Sequence, residues 1–279
     1  MTSKLTSGET IKLAPGIRRI IAPNAGLMTG PGTNTYLLGE KQIAVVDPGP
    51  RIDSHIQKIM SEAGAPIKWI FATHTHPDHS PAVKFLAEKT DAKILGIPAP
   101  TGIHQDMTFI PHHQLTDAEI FTTEEFKLKV LHTPGHASNH LCFLHQTYNW
   151  LLTGDHIING STVVINPPDG NMSDYISSLN RLKNETIEAI LPGHGDLLKN
   201  PYEAIDWIIN HRHERELKVI ETLSDYPKMP ISKLVAFVYK EIDQSLHDLA
   251  QRSLLAHLLK LKKEGSVICE NENWELILK

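Results

Sequence analysis

Apolar runs of strand length alternate with segments of helical period along the first 200 residues of the chain. The strand-like runs are NTYLLG, KQIAVVDPG, IKWIFATH, AKILG, EFKLKVLHTPGH, LCFLHQ, NWLLTGD and IEAILPGHG. The helical segments are DSHIQKIMSEAG, which we expect to end at Gly64, PAVKFLAEK and MSDYISSLNRLKN. Strands that alternate with helices are typical of α/β domains, so this pattern predicts an α/β fold.

The pattern changes at Pro201, where long helical segments replace the alternation. PYEAIDWIINHRHERELKVIETLS, ISKLVAFVYKEI and QSLHDLAQRSLLAHLLKLKKEG predict three helices, and SVICENENWELIL predicts a terminal β-hairpin. Three helices followed by a hairpin are the outline of a winged-helix module. We therefore predict one domain over residues 1–205 and a winged-helix-like C-terminal domain over residues 206–279. We interpret His211 and His213, beside Arg212 and Arg215 in HRHERE, as part of a solvated helix face, with substrate contact as the alternative. We interpret the tail as a lid or packing module.

The composition is that of an ordinary globular protein, with 41% hydrophobic and 21% charged residues in 279. The net charge of −5 gives no strong electrostatic signal for duplex nucleic acid. Cys142 and Cys269 form no disulfide framework, which suits a reducing compartment. We find no signal peptide and no run long enough to span a membrane, so a cytoplasmic location is expected. The oligomeric state is open. The unusual feature of the composition is its high histidine content, with 17 histidines in the chain.

Four segments combine an apolar strand with a following loop that carries histidine or aspartate. The first, FATHTHPDHSPA, has three histidines and an aspartate within six positions. Strands that end at a common edge would bring these loops together, and imidazole with carboxylate suits zinc or a similar divalent ion. The candidate ligands are His74, His76, Asp78, His79, His136, Asp155 and His194. Seven ligands are too many for one tetrahedral zinc and suit two ions that share a carboxylate.

THTHPDH, HTPGH, TGDH and PGHG, in this order, resemble the metallo-β-lactamase superfamily. The resemblance implies an αββα four-layer sandwich followed by the winged-helix module. It also implies two divalent metal ions, with zinc as the expected metal. The implied first ion has the ligands His74, His76 and His136, and the second has Asp78, His79 and His194. Asp155 would bridge the ions, and Asp47 in AVVDPG matches a buried aspartate that orients the ligands.

MTGPGTNTYLLG, HRHERE and the tail narrow the resemblance to the lactamase-beta-two-like branch in its bacterial form. The best-known animal member of that branch is a single-strand-specific endoribonuclease. The implied activity is a dinuclear metal-dependent hydrolase that uses a metal-bridging hydroxide, on single-stranded RNA or an unknown small molecule. A thioester hydrolase of the glyoxalase II type is an alternative, although its helical tail differs. A mononuclear iron persulfide dioxygenase is another, and one iron per chain would favour it. A nucleic-acid-binding regulator is disfavoured by the intact ligand set.

The sequence also suggests roles for single residues, on less specific patterns than the metal motifs. Asp78 would also orient the hydroxide, and His140 and His156 are candidates for the general acid. Tyr175 could donate a hydrogen bond to the substrate. We interpret Thr33, Asn34 and Thr35 as turn formers, with a place in the lining of the cleft as the alternative, and His145 as a solvated or loop histidine.

Overall fold

The computed structural model describes residues 5–102 and 104–277. The described chain divides into two compact units, each of which combines separate stretches of sequence. The first unit comprises the chain up to Thr133 together with Asn139–Ser161 and Glu185–Pro201. The second comprises Pro134–Ser138, Thr162–Asn184 and the chain from Tyr202 onward. The predicted boundary between residues 205 and 206 falls within one long helix and stays a prediction.

Within the described ranges, the first unit contains two sheets. The first sheet has the order β1-β2-β3-β4-β5-β6-β7, antiparallel from β1 to β4 and parallel from β4 to β7. Its strands are β1 (Thr10–Ala14), β2 (Ile17–Ile21), β3 (Asn34–Leu38), β4 (Ile43–Val46), β5 (Ile67–Phe71), β6 (Lys93–Gly96) and β7 (His113–Gln114). The second has the order β12-β11-β10-β9-β8. Its strands are β8 (Ile120–Thr122), β9 (Lys127–His132), β10 (Leu141–His145), β11 (Trp150–Gly154) and β12 (Ala189–Pro192).

Two apolar cores join the layers of the first unit. Helices α1 (Asp53–Ala63) and α2 (Ala82–Thr90) pack on the first sheet through residues such as Ile59 and Leu86. Between the two sheets, side chains such as Phe71 and Phe143 form a second core, with their rings 5.3 Å apart in an edge-to-face arrangement. The predicted α/β fold is confirmed, since helices, first sheet and second sheet form successive layers here.

The second unit carries the remaining helices and a small sheet. The helices are α3 (Met172–Leu182), α4 (Pro201–Asp225), α5 (Ile231–Val238) and α6 (His247–Lys263), the last preceded by a 3-10 turn at Gln244–Leu246. The strands are β13 (Met229–Pro230), β14 (Val267–Glu270) and β15 (Asn273–Leu276), in the order β13-β15-β14. Leu223, Leu234, Leu258 and Trp274 share one core, so the three predicted helices and the hairpin form a module.

In the described part of the chain, no helix combines the length and apolar character that crossing a membrane would need.

Candidate metal centre

The candidate ligands of the first unit lie where strands end. The loop after β5 carries His74, His76, Asp78 and His79, while Asp155 follows β11 and His194 follows β12. Strands β4 and β5 are parallel, as are β11 and β12. The carboxyl ends of parallel strands meet at one edge, which is where α/β sheets place their binding sites.

Two histidines and two carboxylates converge at this edge. His79 Nε2 lies 3.3 Å from Asp78 Oδ2 and 3.3 Å from Asp155 Oδ1. His194 Nε2 lies 3.1 Å from the same Asp78 oxygen and 3.2 Å from the same Asp155 oxygen. The two carboxylates are therefore shared by two imidazoles from loops that follow different strands.

His74 and His76 lie beside this group. His74 Nε2 is 3.0 Å from His76 Nδ1, and the rings of His74 and His79 are 4.2 Å apart. The ligand atoms of His74, His79 and Asp155 all lie within 4.8 Å of one another. Those of Asp78, His79 and His194 do so as well. Two overlapping groups of three ligand atoms thus meet at His79.

In His79, His194 and His74, the other ring nitrogen is anchored by a protein oxygen. His79 Nδ1 donates to Asp47 Oδ2 at 2.9 Å, and His194 Nδ1 donates to the Gly32 carbonyl at 3.3 Å. His74 Nδ1 lies 3.0 Å from Thr73 Oγ1, which itself donates to Asp47 Oδ2. A metal-binding histidine usually donates its second N–H to a carboxylate or carbonyl in this way.

The residues present fit a divalent metal ion. Among the described residues, none hydrogen-bonds His79 Nε2, although this atom is fully buried. A buried polar nitrogen without a partner is costly, and an ion between it and the two carboxylates would satisfy it. Nitrogen and oxygen donors of this kind suit zinc, manganese or iron.

Charge is concentrated at the centre. Burial lowers the pKa of His79, but the carboxylates of Asp78, Asp155 and Asp47 outweigh burial and raise it well above 6.5. Burial also opposes the effect of Asp155 on His194, whose pKa rises to about 10. The pKa values of both Asp78 and Asp155 are lowered although burial acts in the opposite direction, because the imidazoles favour the ionised carboxylates. The carboxylates thus attract positive charge to this point.

His74 shows the opposite behaviour. Burial and the neighbouring imidazoles of His79 and His76 lower its pKa well below 6.5. A neutral imidazole is the form that binds metal ions.

Asp47 supports the loop that carries the ligands. Its Oδ1 accepts from the Thr73 backbone N–H at 2.7 Å, and its Oδ2 accepts from Thr73 Oγ1 at 2.7 Å and from His79. Asp47 is 2% exposed and has a φ of 50°. One buried carboxylate therefore fixes both a loop backbone and a candidate ligand.

The interpretation of Thr33, Asn34 and Thr35 as turn formers was wrong, because all three are buried at the centre. Thr33 Oγ1 donates to Asp78 Oδ2 at 3.1 Å, and Thr35 Oγ1 donates to the Asp47 carbonyl at 2.7 Å. Asn34 and Thr35 begin β3 and lie under the site. A run of small polar side chains at the start of an apolar strand is the sequence signal that could have indicated this role.

The loop that carries His194 is held by β2 and β3. Asn34 Nδ2 donates to the carbonyls of Pro192 and Gly195, both at 2.8 Å. Arg19, which is 1% exposed, forms a salt bridge of 2.9 Å with Asp196. Sequence reasoning missed these contacts because they join residues more than 150 positions apart.

The remaining candidate residues lie in both units. His140 is buried in the first unit, where its Nε2 accepts from the Asp155 N–H at 3.2 Å and its Nδ1 lies 3.0 Å from Thr133 Oγ1. His156 is buried there too, with its ring 5.8 Å from that of His140. His136 and Tyr175 belong to the second unit. His136 Nδ1 donates to the Val164 carbonyl at 2.8 Å, and Tyr175 is buried in α3.

Outside the centre, His213 is exposed, as expected of a solvated helix face, whereas the interpretation of His145 as a solvated or loop histidine was wrong. HRHERE is only partly solvated, because Arg212 is 2% and Arg215 is 7% exposed. Both arginines donate to backbone carbonyls within the second unit. His145 is buried in β10, with its ring stacked on Phe126. An alternating pattern of charges along a helix does not reveal which long side chains are enclosed.

Comparisons with known proteins cover both parts of the chain. Residues 28–194 match the metallo-beta-lactamase superfamily, and residues 231–274 match the beta-lactamase-associated winged helix domain. A Drosophila melanogaster protein named Beta-lactamase-like protein 2 homolog is 32% identical, over 92% of this chain and 91% of its own. An Aspergillus fumigatus protein named Atrochrysone carboxyl ACP thioesterase is 28% identical, over 78% of this chain and 68% of its own. A beta-lactamase domain protein structure from Burkholderia ambifaria is similar with a TM-score of 0.83 at 19% identity, over 99% of this chain and 96% of that one.

Proposed function

Since the chain belongs to the metallo-β-lactamase superfamily, as a metal-dependent hydrolase with a C-terminal winged helix domain, we propose that its centre holds two divalent metal ions. Zinc is the ion we expect. The observation that carries the proposal is the pair of carboxylates, Asp78 and Asp155, each within 3.3 Å of both His79 and His194. Two overlapping ligand groups favour two ions over the single iron of a persulfide dioxygenase.

We propose the ligand sets that the superfamily resemblance implies. The first ion has His74, His76 and His136, the second has Asp78, His79 and His194, and Asp155 is shared. His136 fits this role because its Nδ1–H is taken up by the Val164 carbonyl, which fixes the tautomer with a lone pair on Nε2. We also propose that Asp47 orients His79 and the Thr73 backbone.

Two such ions, when bound, would supply Lewis-acid chemistry: they would acidify a water molecule and polarise the group under attack. The protein's part is to hold the donors rigidly. Thr33 Oγ1 fixes the Asp78 carboxylate at 3.1 Å, and Asn24 Oδ1 in turn accepts from the Thr33 N–H at 2.9 Å. We propose that His140 holds the Asp155 backbone, since its Nε2 accepts the Asp155 N–H. His156 and Tyr175 remain candidates for general acid and substrate contact.

The second part of the proposal concerns which chemical bond the enzyme hydrolyses. Single-stranded RNA follows from the resemblance to the lactamase-beta-two-like branch, and the relatives named Beta-lactamase-like protein 2 homolog support the branch itself. A thioester is favoured by a different observation, the two relatives named Atrochrysone carboxyl ACP thioesterase, at 28% and 23% identity. The net charge of −5 does not favour an RNA held by general electrostatics.

The experiment combines metal analysis with two substrates. We expect two zinc ions per reconstituted chain, and hydrolysis of either an end-labelled single-stranded RNA or a chromogenic acyl thioester. Asp155→Ala should reduce both the metal content and turnover at unchanged fold by circular dichroism. Asp53→Ala, an exposed aspartate in α1, is the control and should keep both. Full turnover and two ions in Asp155→Ala would contradict the shared-carboxylate role. One iron per chain would favour the dioxygenase.

A further inference from the structure

In the second unit, each residue of the segment 163–165 makes a backbone hydrogen bond to a side chain from another part of the unit. Arg212 of α4 donates from Nη2 to the Val163 carbonyl. The Ile165 N–H donates to Ser253 Oγ of α6 at 3.3 Å. Between them, the Val164 carbonyl accepts from His136 Nδ1 at 2.8 Å. Two helices of the C-terminal part thus hold the segment that holds the His136 ring.

The backbone around His136 is fixed separately, by α3 and the residue that precedes it. The Asn171 N–H donates to the Gly135 carbonyl at 2.8 Å, and Ser178 Oγ donates to the Pro134 carbonyl at 2.8 Å. Gly135 packs so closely on α3 that a Cβ there would lie 2.3 Å from Tyr175 Cα. With the backbone held in place, the Val164 carbonyl determines the rotation and tautomer of the His136 ring.

Arg212 is an unusual residue to find at this position. It is 2% exposed, and its Nε has no hydrogen-bond partner among the described residues. A buried cation is costly unless other groups compensate it. Here the compensation comes from the Val163 carbonyl and from the Tyr175 ring, whose centroid is 5.4 Å from Arg212 Cζ. A charged donor makes a stronger hydrogen bond than a neutral one, which suits the fixing of one carbonyl.

We infer that Arg212 and Ser253 are positioning residues of the metal centre. They fix segment 163–165, and through the Val164 carbonyl they fix the imidazole of His136. The inference rests on the proposed function, in which His136 binds the first ion. It gives the C-terminal helices α4 and α6 an indirect part in positioning the candidate ligand His136, beyond that of a lid or packing module.

The test is a zinc titration of the metal-free, full-length protein against a chromophoric chelator. His136→Ala identifies the binding step that depends on this imidazole. Arg212→Met removes the charged donor, and Arg212→Lys retains a charge that can reach the same carbonyl. Arg215→Met is the matched control, because Arg215 is a buried arginine of the same helix that donates to the Val238 carbonyl at 2.7 Å instead.

We expect Arg212→Met to weaken the His136-dependent step about tenfold, the lower end of the loss caused by removing a group that hydrogen-bonds a metal ligand, because Arg212 acts through the neighbouring carbonyl. Arg212→Lys should recover most of that loss, and Arg215→Met should leave the step unchanged. With cobalt in place of zinc, the visible absorption bands should change in Arg212→Met and His136→Ala but not in Arg215→Met.

Equal weakening by Arg212→Met and Arg215→Met would overturn the inference, as would an unchanged step in Arg212→Met. If Arg212→Met does not fold, the same zinc titration is carried out on Ser253→Ala, which removes only the acceptor of the Ile165 N–H. A weakened step then supports the inference, and an unchanged step overturns it. If His136→Ala itself alters no step, the proposed ligand set fails together with the inference. If only His136→Ala alters it, the ligand set stands and the inference alone fails.

Discussion

At the scale of single residues, the centre depends on which nitrogen of each imidazole is already engaged. His79 and His194 each donate Nδ1 to a protein oxygen and direct Nε2 at Asp78 and Asp155. The sequence motif names these side chains, but it does not show how they are oriented. The orientation comes from Asp47 and Gly32, which lie far from the histidines along the chain.

Asp47→Asn tests this orientation. The amide nitrogen or oxygen of asparagine cannot accept from the Thr73 N–H, Thr73 Oγ1 and His79 Nδ1 together, as the carboxylate does. We expect zinc affinity to fall about 10- to 100-fold with little change in far-ultraviolet circular dichroism. Competition with a chelator measures the affinity. Wild-type affinity in this variant would show that Asp47 only packs against the loop.

At the scale of elements, the turn at the end of β11 determines how closely this strand approaches the loop after β5. Gly154 has a φ of 46°, and a Cβ at this position would lie 2.4 Å from Thr73 Oγ1. Thr73 is the residue that Asp47 holds and that precedes His74. A side chain at Gly154 would therefore disturb the loop after β5 from the neighbouring sheet.

Gly154→Ala should lower the metal content and also the free energy of unfolding, by about 2–5 kcal/mol, because the steric clash adds to the cost of a positive φ. Gly160→Ala is the control, since Gly160 also has a positive φ, 83°, but open space around its Cα. The control should lose only the backbone cost of about 1–2 kcal/mol and keep its metal. Thermal unfolding and metal analysis measure both. Equal metal loss in the two variants would argue against the steric explanation.

The contact between α4 and α6 makes the second unit sensitive to pH. Glu216 accepts from His257 Nδ1 at 3.1 Å and from Lys260 Nζ at 2.8 Å. Burial, with a smaller contribution from Arg212, lowers the pKa of His257 to about 4 although Glu216 acts to raise it. His257 is therefore neutral in the folded protein at pH values where the unfolded chain already binds a proton.

Stability should fall as the pH falls from about 6.5 to 4, because the unfolded chain takes up the His257 proton near 6.5 and the folded chain only near 4. The full contribution of this histidine is up to about 3 kcal/mol. Urea unfolding at several pH values measures the slope. His257→Gln, which cannot ionise, should show a shallower slope in this window, and an unchanged slope would exclude His257 as the cause.

At the scale of the whole molecule, metal binding and folding are linked. The ionised carboxylates of Asp78 and Asp155 lie beside fully buried His79, and an ion that binds only this folded arrangement must stabilise it. Residues of the group come from strands that are far apart in sequence. The unfolded chain cannot present them together, so the ion acts on the fold as a whole.

Removal of the metal by a chelator should lower the unfolding temperature, and zinc at about 1,000 times its Kd should restore about 4 kcal/mol of stability. Differential scanning calorimetry with and without chelator measures the change. Asp155→Ala, with a weakened centre, should show a smaller difference between the two conditions. An equal difference in this variant would place the stabilising ion elsewhere.

The sequence by itself predicted the helices and most of the strands, although not β1, β2, β7, β8 and β13, and it named the candidate residues of the centre. Period-two and helical spacing predicted the strands and helices because each buries one apolar face, and DSHIQKIMSEAG ends at Gly64 in a left-handed conformation as expected. The histidine and aspartate motifs named the side chains that converge. Both signals are local, so a single chain reveals them.

Only the tertiary structure decided which polar residues support the centre and which arginines are buried. Thr33 reaches Asp78 across 45 positions, Asn34 reaches the His194 loop across 158, and Arg212 is enclosed within its own unit. Such contacts depend on strand order and on close approach between elements, and neither is encoded in local spacing. Threonine, asparagine and arginine are also common on surfaces, and only the packing around them distinguishes a support of the site from a solvated side chain.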